Sequence, residues 1–334
     1  MTNEEKPKRK RGDSPLTRTI NIPLYLLLIV LAAVILLGIV WLAGNLAQNA
    51  MNISPEQEAE LATEIGIAFG VPPALDCSAY LPPSGERIAY RSAADGLIYL
   101  LTTENDVRCL LPGATPDAIN LALSTDGNRL AYVAETRLGT YSFTDNRAIN
   151  FSDDLAGSAT PLMWASANGQ IAYTHANDGQ IWLVNQDGTN ARALTAGSQP
   201  AASPDGTRIA YINADGFLAV VNLDGTNARR VTQSPEPERL PVWSPDGTRI
   251  LFVRAGASGD QVFTVAPDDP QQAHQLIADD ITGIIDLDWI DANRFAYLSN
   301  GQLHTRLFPQ NSGANGDTII LEQVSTFDWW MPPQ

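Results

Sequence analysis

Two aspartates, two positions apart, are the residues of this chain with the clearest capacity for chemistry. Asp286 and Asp288 stand in the stretch Ile-Ile-Asp-Leu-Asp-Trp at 284–289. Alternate side chains of a strand point to the same face, so both carboxylates lie on one face and Leu287 on the other. If this strand lines a channel, the pair suits Ca²⁺, which prefers oxygen ligands, or a basic group of a peptide. The alternative is a pair of solvated or arginine-paired acids at a strand edge.

The histidines do not form a site. His175, His274 and His304 are far apart in the sequence and have no local ligand spacing. None belongs to a predicted first strand, which is the strand that would line a central channel. We therefore predict no catalytic residue and no cofactor, and Ca²⁺ at Asp286 and Asp288 is the only metal considered.

A repeating unit organises the residues that follow position 78. Six copies are visible, and the residue before the apolar triplet of each copy recurs at intervals of 42, 41, 38, 41 and 45 residues. This interval is typical of one propeller blade per copy. The copies are LPPSGERIAY at 81–90, LSTDGNRLAY at 123–132, WASANGQIAY at 164–173, ASPDGTRIAY at 202–211, WSPDGTRILF at 243–252 and WIDANRFAY at 289–297.

Each copy predicts four strands joined by three turns. The Ser-Pro-Asp-Gly turn follows the first strand, and an Asp-Gly or Asn-Gly turn, such as that at 178–179, joins the second strand to the third. The turn aspartates are expected to be structural. The last residues, Phe327 to Pro332, look like a further first strand that returns to the first blade and closes the ring. The alternative is a seventh blade completed by residues 65–80.

Three tryptophans, Trp164, Trp243 and Trp289, occupy the same position in three copies. Aromatic residues at a channel mouth can stack on ligands. A repeated position is explained more simply by packing between blades, and that is the prediction here.

The two cysteines, Cys77 and Cys109, form a possible disulfide. Cys109 belongs to the predicted outer strand of blade one, and Cys77 precedes that blade. Inner and outer strands of a four-stranded blade are about 14 Å apart, three spacings of roughly 4.7 Å. The bond therefore requires Cys77 to lie against the outer strand.

The phrase S-P-D-G-x-R-I-A-Y, with its Asp-Gly turns and R-x-L-T endings, resembles the TolB-type propeller family, also called PD40 or WD40-like repeats. The resemblance covers about 78–334 and implies an all-β, six-bladed propeller of four-stranded antiparallel blades. TolB itself looks like a soluble periplasmic protein with an α/β domain before its propeller. In this sequence a predicted membrane span and one short helix occupy that place. A role in the Tol-Pal system is therefore not implied. No G-x-S-x-G of a propeller-bearing peptidase occurs, and the clustered histidines of propeller lyases are not seen.

The two ends of the chain differ in charge. The first 21 residues hold six basic and three acidic side chains, including every lysine, whereas the remainder holds 15 basic and 34 acidic ones. Such an acidic remainder repels phosphate backbones, so nucleic acid is not expected as a partner. The 21 uncharged residues from Leu24 to Gly44 would span about 32 Å as a helix, enough to cross a bilayer. A cleavable signal peptide is the alternative, but its apolar region is normally shorter.

The basic residues before the span predict a cytoplasmic N-terminus and an extracytoplasmic propeller in a single-pass membrane protein. Ser54-Pro55-Glu56-Gln57 is typical of a helix start, which indicates a short connector helix at about 55–66. The predicted domains are a cytoplasmic basic tail at 1–21, a transmembrane anchor helix at 22–44, an extracytoplasmic linker with the short helix at 45–77 and the propeller at 78–334.

The function expected from these features is a non-enzymatic scaffold that binds a protein, a peptide or an envelope polymer at the propeller face. One alternative is a propeller enzyme, a carbohydrate lyase or hydrolase that uses channel carboxylates such as Asp286 and Asp288. A second alternative is an extracytoplasmic sensor domain, although only about 20 residues are predicted to lie in the cytoplasm.

Overall fold

The computed structural model describes residues 75–331, except 77–84, 104–106, 112–117, 135–136, 146, 152–161, 166–168, 176, 258, 270–274 and 309–316. Over the described ranges the chain is all-β, and its strands form six sheets. These ranges contain no helix that could cross a membrane. The predicted tail, anchor helix and connector helix lie outside the described residues.

The six sheets are the blades of a propeller. In blades 2 to 6, four strands that follow one another in the chain lie side by side in the same order and pair antiparallel. In blade 1 the innermost strand is the last described strand of the chain. The innermost strands contact one another in a closed cycle, so they surround a central channel. In the order of blades 1 to 6, the innermost strands are β25 (Val324–Trp330), β5 (Ala118–Leu123), β9 (Met163–Trp164), β13 (Ser198–Ala202), β17 (Glu238–Trp243) and β21 (Ile284–Trp289).

The second and third strands form the buried middle of each blade, and the fourth strands form the outer edge. The second strands are β2 (Arg87–Ser92), β6 (Arg129–Ala134), β10 (Gln170–His175), β14 (Arg208–Ile212), β18 (Ile250–Ala255) and β22 (Arg294–Ser299). The third strands are β3 (Ile98–Thr102), β7 (Arg137–Ser142), β11 (Gln180–Asn185), β15 (Leu218–Asn222), β19 (Asp260–Val265) and β23 (Gln302–Leu307). The outer strands are β4 (Val107–Leu110), β8 (Arg147–Phe151), β12 (Arg192–Ala196), β16 (Arg229–Arg230), β20 (Gln275–Ile281) and β24 (Thr318–Glu322).

The ring closes through the last strand. β25 pairs antiparallel with β2, with Trp329 opposite Ile88 and Phe327 opposite Tyr90. The predicted return of the C-terminal segment to blade 1 is confirmed, and the seven-bladed alternative is wrong. A two-residue strand, β1 (Leu75–Asp76), adds a parallel partner to β4 on the outer edge of the same blade.

The hydrophobic core lies between blades. Six clusters of buried side chains occur among the described residues, and each joins two neighbouring blades. The apolar triplet of the repeat explains this arrangement, because alternate residues of a strand face opposite sides. Ile171 and Tyr173 pack against blade 2, whereas Ala172 between them packs against blade 4.

The Ser-Pro-Asp-Gly turns are held by their own side chains. The Asp205 carboxylate accepts hydrogen bonds from the Ser203 hydroxyl (2.5 Å) and the Thr207 amide (3.0 Å). Gly206 takes a φ of 66°, which a residue with a side chain adopts at a cost. The equivalent turn at 244–248 has the same bonds. These aspartates fix the turn between the first and second strands, as predicted.

Candidate functional site at the channel mouth

A cavity of about 460 Å³ occupies the end of the channel at which the innermost strands begin. Its walls differ in chemistry. Blades 2 to 5 contribute mostly apolar side chains, among them Leu121, Leu162 and Val242, whereas all the carboxylates come from blades 6 and 1. A concave, largely apolar pocket with a few convergent polar groups is the usual form of a ligand site.

Bulges in the innermost strands shape this mouth. The register of β5, β13 and β17 with their second strands shifts next to Asn120, Gln199 and Leu240. These three residues have φ of 56°, 55° and 54°, and all three line the cavity. Bulges re-aim the side chains of a strand and are common beside active sites. Leu240 is the least expected of the three in the left-handed region, because its side chain is large and apolar.

Asp286 and Asp288 line the cavity from β21, which is the channel-facing one of the two placements that the sequence leaves open. The Asp286 Oδ2 atom accepts hydrogen bonds from the Thr326 hydroxyl (3.3 Å) and the Phe327 amide (3.4 Å). The Asp288 Oδ2 atom accepts one from the Trp329 amide (2.9 Å). Both acids therefore lie across the junction between blade 6 and the closing strand.

A third carboxylate, Asp328, joins them and is missed by the sequence analysis. It lines the same cavity from β25, and its Oδ2 atom accepts a hydrogen bond from the Leu123 amide of blade 2 (2.8 Å). A signal for it exists in the sequence, because Asp288 and Asp328 both directly precede a tryptophan of a first strand. The repeat pattern identifies the C-terminal segment only as the strand that closes the ring.

The protonation of the three acids is strongly perturbed. Burial raises the pKa of Asp286 to about 6, although bonds from the Phe327 and Leu287 amides oppose the shift. Burial also raises the pKa of Asp288 well above its usual value, and the negative charge of Asp328 adds to the effect. Burial and the charge of Asp286 raise the pKa of Asp328 to about 7.

Two arginines are the other charged side chains of the described cavity wall. Arg239 is paired with Asp260 (2.6 Å) and donates to the Ile284 carbonyl oxygen (2.6 Å). Arg91 donates to the Ser325 hydroxyl (3.2 Å). Both guanidinium groups therefore fix the rim of the mouth, while the acids lie along its wall.

The predicted Ca²⁺ option gains no support from the described residues, among which no group of three or more His, Cys, Asp or Glu side chains is placed to hold a metal ion. His175 ends β10, where its Nδ1 atom lies 2.9 Å from Asp178 Oδ1. His304 lies in the third strand β23 and stacks on Tyr297 with ring centroids 4.8 Å apart. His274 lies outside the described residues.

The repeated tryptophans pack between blades, as predicted, although Trp289 contacts its cluster only as a half-buried side chain. Trp164 and Trp243 are buried, and their indole N–H groups donate to carbonyl oxygens of the preceding blade, at Ala122 (2.8 Å) and Ala201 (3.1 Å). Trp289 is half-buried, and its indole donates to a carbonyl of its own turn (2.7 Å). It packs against a phenylalanine ring at 5.0 Å.

The disulfide stays a prediction, since Cys77 lies outside the described residues. Cys109 is buried in the cluster between blades 1 and 2. In the pairing of β1 with β4, Leu75 lies opposite Cys109. The chain that leads to Cys77 therefore runs beside the outer strand β4, and the bond requires Cys77 to lie against this strand.

Comparison with known proteins agrees with this geometry. No model of a protein family matches the chain. A protein TolB homolog of Chlorobium luteolum is 30% identical over 142 residues, which are 39% of this chain and 32% of the relative, so the chain matches about a third of that protein. TolB from Acinetobacter baumannii has the same fold at a TM-score of 0.57, with 13% identity over 80% of this chain and 70% of that one.

The chain carries a TolB-like β-propeller. A putative TolB from Agrobacterium tumefaciens matches the TolB-like propeller at a TM-score of 0.54, with 15% identity over 71% of this chain and 89% of that one. A chain from a nidogen/laminin complex matches it at 0.62, with 13% identity over 75% of this chain and 100% of that one. At these identities the structural matches establish only the fold. The ligand of the TolB-like propeller has to be inferred from the residues of its own channel mouth.

Proposed function

We propose that this chain is a non-enzymatic binding scaffold, held at the cell membrane by its N-terminal segment, whose propeller face takes a protein or peptide partner. The TolB-like fold supports a binding scaffold in general terms. The observation that carries the finer proposal is the cavity at the channel mouth, where a wall of carboxylates faces an apolar wall.

A basic side chain of a partner protein fits both walls. The aliphatic stem of lysine or arginine buries against apolar surface while its charged end seeks polar groups. Here the stem would lie along Leu121 and Val242, and the cation would approach Asp286, Asp288 and Asp328. A bound cation would offset the mutual repulsion and the desolvation that raise the pKa values of these acids.

Two features of the sequence support the membrane part of the proposal. The basic run before position 22 and the apolar segment at 22–44 are typical of an anchor with a cytoplasmic N-terminus. The propeller would then lie outside the cytoplasm. Protease added to intact cells is expected to digest the propeller, and full protection until the cells are lysed would contradict this placement.

Site-specific crosslinking in intact cells tests the binding site. A photo-crosslinking amino acid at Ile285, which lines the mouth and is 58% exposed, is expected to yield a discrete adduct with one partner. The same amino acid at Ile149, 36% exposed on an outer strand of blade 2, is the matched control. The Asp286→Asn, Asp288→Asn double variant, shown to be folded by circular dichroism, is expected to lose the adduct at position 285.

Two results would refute the proposed site. One is equal labelling from positions 285 and 149, which would indicate unspecific contact. The other is an adduct at 285 that the folded double variant forms in full, because the carboxylates would then play no part in recognition.

A second candidate function is a carbohydrate lyase or hydrolase, and one observation favours it. General acids work best when their pKa lies near the working pH, and the pKa values of Asp286 and Asp328 lie at about 6 and 7. This candidate predicts cleavage of a polysaccharide by the native chain and loss of cleavage in Asp328→Asn. Turnover that Asp328→Asn and Asp286→Asn leave unchanged would remove these acids from the reaction.

A further inference from the structure

The closing strand β25 is held on both flanks by carboxylates. On the side of blade 6, Asp286 and Asp288 accept hydrogen bonds from the amides of Phe327 (3.4 Å) and Trp329 (2.9 Å). On the side of blade 2, Asp328 of the strand itself accepts one from a β5 amide (2.8 Å). Three acids thus link the last strand to both of its neighbours in the ring.

Carboxylates perform the same task at two other junctions, with one difference. Glu238 accepts a bond from a blade 4 amide (2.8 Å) and is paired with Arg254 (2.6 Å). Asp260 accepts one from a blade 6 amide (2.7 Å) and is paired with Arg239 (2.6 Å). Among the described ion pairs, in contrast, none involves the three acids at β25. Among the described residues, their charge is therefore compensated by amide dipoles, the Thr326 hydroxyl and protons.

We propose that Asp286, Asp288 and Asp328 form a proton-sensitive clasp on β25, which holds the ring closed more tightly when the acids are protonated than when they are ionised. The clasp is a property of the fold and does not depend on the proposed ligand. Arg91 on β2 and Arg239 on β17 are the remaining charged groups of the described cavity wall. Arg91 donates to Ser325, and Arg239 is paired with Asp260 and donates to a backbone carbonyl.

The direction of the effect follows from the burial and clustering of three like charges on one cavity wall without a described ion pair, which disfavours the ionised form more than the amide bonds favour it. The pKa of each acid in the folded chain is raised above the value of an unfolded aspartate, so folding favours the protonated form. The stabilisation is complete below about pH 4 and is lost as the pH rises through about 6 for Asp286 and about 7 for Asp328. Above pH 8 no further change is expected from these groups.

Hydrogen exchange of the full-length chain measures the clasp, because opening of β25 exposes the amides that the acids bind. After correction for intrinsic exchange rates, protection of the Phe327 and Trp329 amides should fall between pH 5 and pH 8. Linkage gives a loss of roughly 10-fold if only Asp286 reaches water on opening, and of roughly 90-fold if only Asp328 does. Strand β15 of blade 4, at 218–222, is the internal control and should change by less than about threefold.

The Asp288→Asn, Asp328→Asn double variant keeps an acceptor oxygen at each position and removes both charges. Its β25 amides should lose no more than the roughly 10-fold of protection that Asp286 alone accounts for between pH 5 and pH 8, and not the larger loss expected from Asp328. The exposed acid Asp268, paired with two arginines between blades 4 and 5, supplies the matched control Asp268→Asn, which should retain the native pH response.

The proposal fails if β25 is equally protected at pH 5 and pH 8, if β15 changes as much as β25, or if the double variant responds to pH as the native chain does. Should the double variant not fold, the comparison of β25 with β15 in the native chain still decides, and Asp286→Asn gives a second, milder neutralisation.

Discussion

Replacing Trp243 by phenylalanine tests whether the repeated tryptophans bind neighbouring blades together. The Trp243 side chain is 5% exposed, and its indole N–H donates to the Ala201 carbonyl of blade 4 (3.1 Å). The Arg208 guanidinium carbon lies over the indole, 4.7 Å from the ring centroid. A buried acceptor left without its donor costs about 1–3 kcal/mol. The weaker cation–π contact adds about 0.5–1 kcal/mol. We expect Trp243→Phe to lower the free energy of unfolding by roughly 2–4 kcal/mol.

Urea unfolding of the full-length chain, followed by far-ultraviolet circular dichroism, measures this change without relying on tryptophan emission. The matched control is Trp182→Phe, because the half-exposed Trp182 indole donates only to the exposed carboxylate of Asp178 within its own blade (3.0 Å). Trp182 packs only partly against the cluster between blades 2 and 3, so Trp182→Phe should cost about 1 kcal/mol, clearly less than Trp243→Phe. Equal losses in the two variants would refute the interpretation, because burial between blades would then contribute nothing beyond the loss of an indole.

Three further predictions concern single positions. Glu238→Leu should lower the free energy of unfolding by about 3–5 kcal/mol, because it removes the carboxylate from a buried pair with Arg254, and Glu238→Gln should cost clearly less in the same urea titration. A digest made without reducing agent should contain a peptide linking Cys77 to Cys109, and Cys109→Ser should destabilise the chain by about 3–4 kcal/mol. Separate peptides would disprove the bond. Gly127→Ala should cost about 1–3 kcal/mol in thermal or urea unfolding, because φ is 67° and the added Cβ would lie 2.7 Å from an indole of the closing strand.

The blade architecture was predictable because each blade repeats local chemistry. The Ser-Pro-Asp-Gly turns and apolar triplets act within about ten residues, so their outcome does not depend on the rest of the chain. The Asp286 and Asp288 pair was predictable for the same reason, since strand alternation is local. The closing role of β25 was predictable because Phe327 to Pro332 resemble the first strand of a copy.

The acidic cluster was not predictable, because the ring brings together positions that are distant in the chain. Asp328 meets the Leu123 amide across 205 residues, and the perturbed pKa values exist only once the channel has closed. Strand β1 was missed because two residues carry no periodic pattern. The left-handed conformation of Leu240 also has no local signal, since leucine rarely adopts it.

The closing strand differs from the other innermost strands in how far the chain must travel to pair it. Blades 2 to 6 join their first and second strands through short turns, whereas Arg91 and Ser325, bonded across β2 and β25, are separated by 234 positions. Loop closure over that distance costs roughly 3 kcal/mol more than closure of a five-residue turn. Side-chain bonds on both flanks of β25 offset part of this cost. Because the acids that form those bonds also line the cavity, any cation that binds there favours the closed ring, and by reciprocity the closed ring favours the cation.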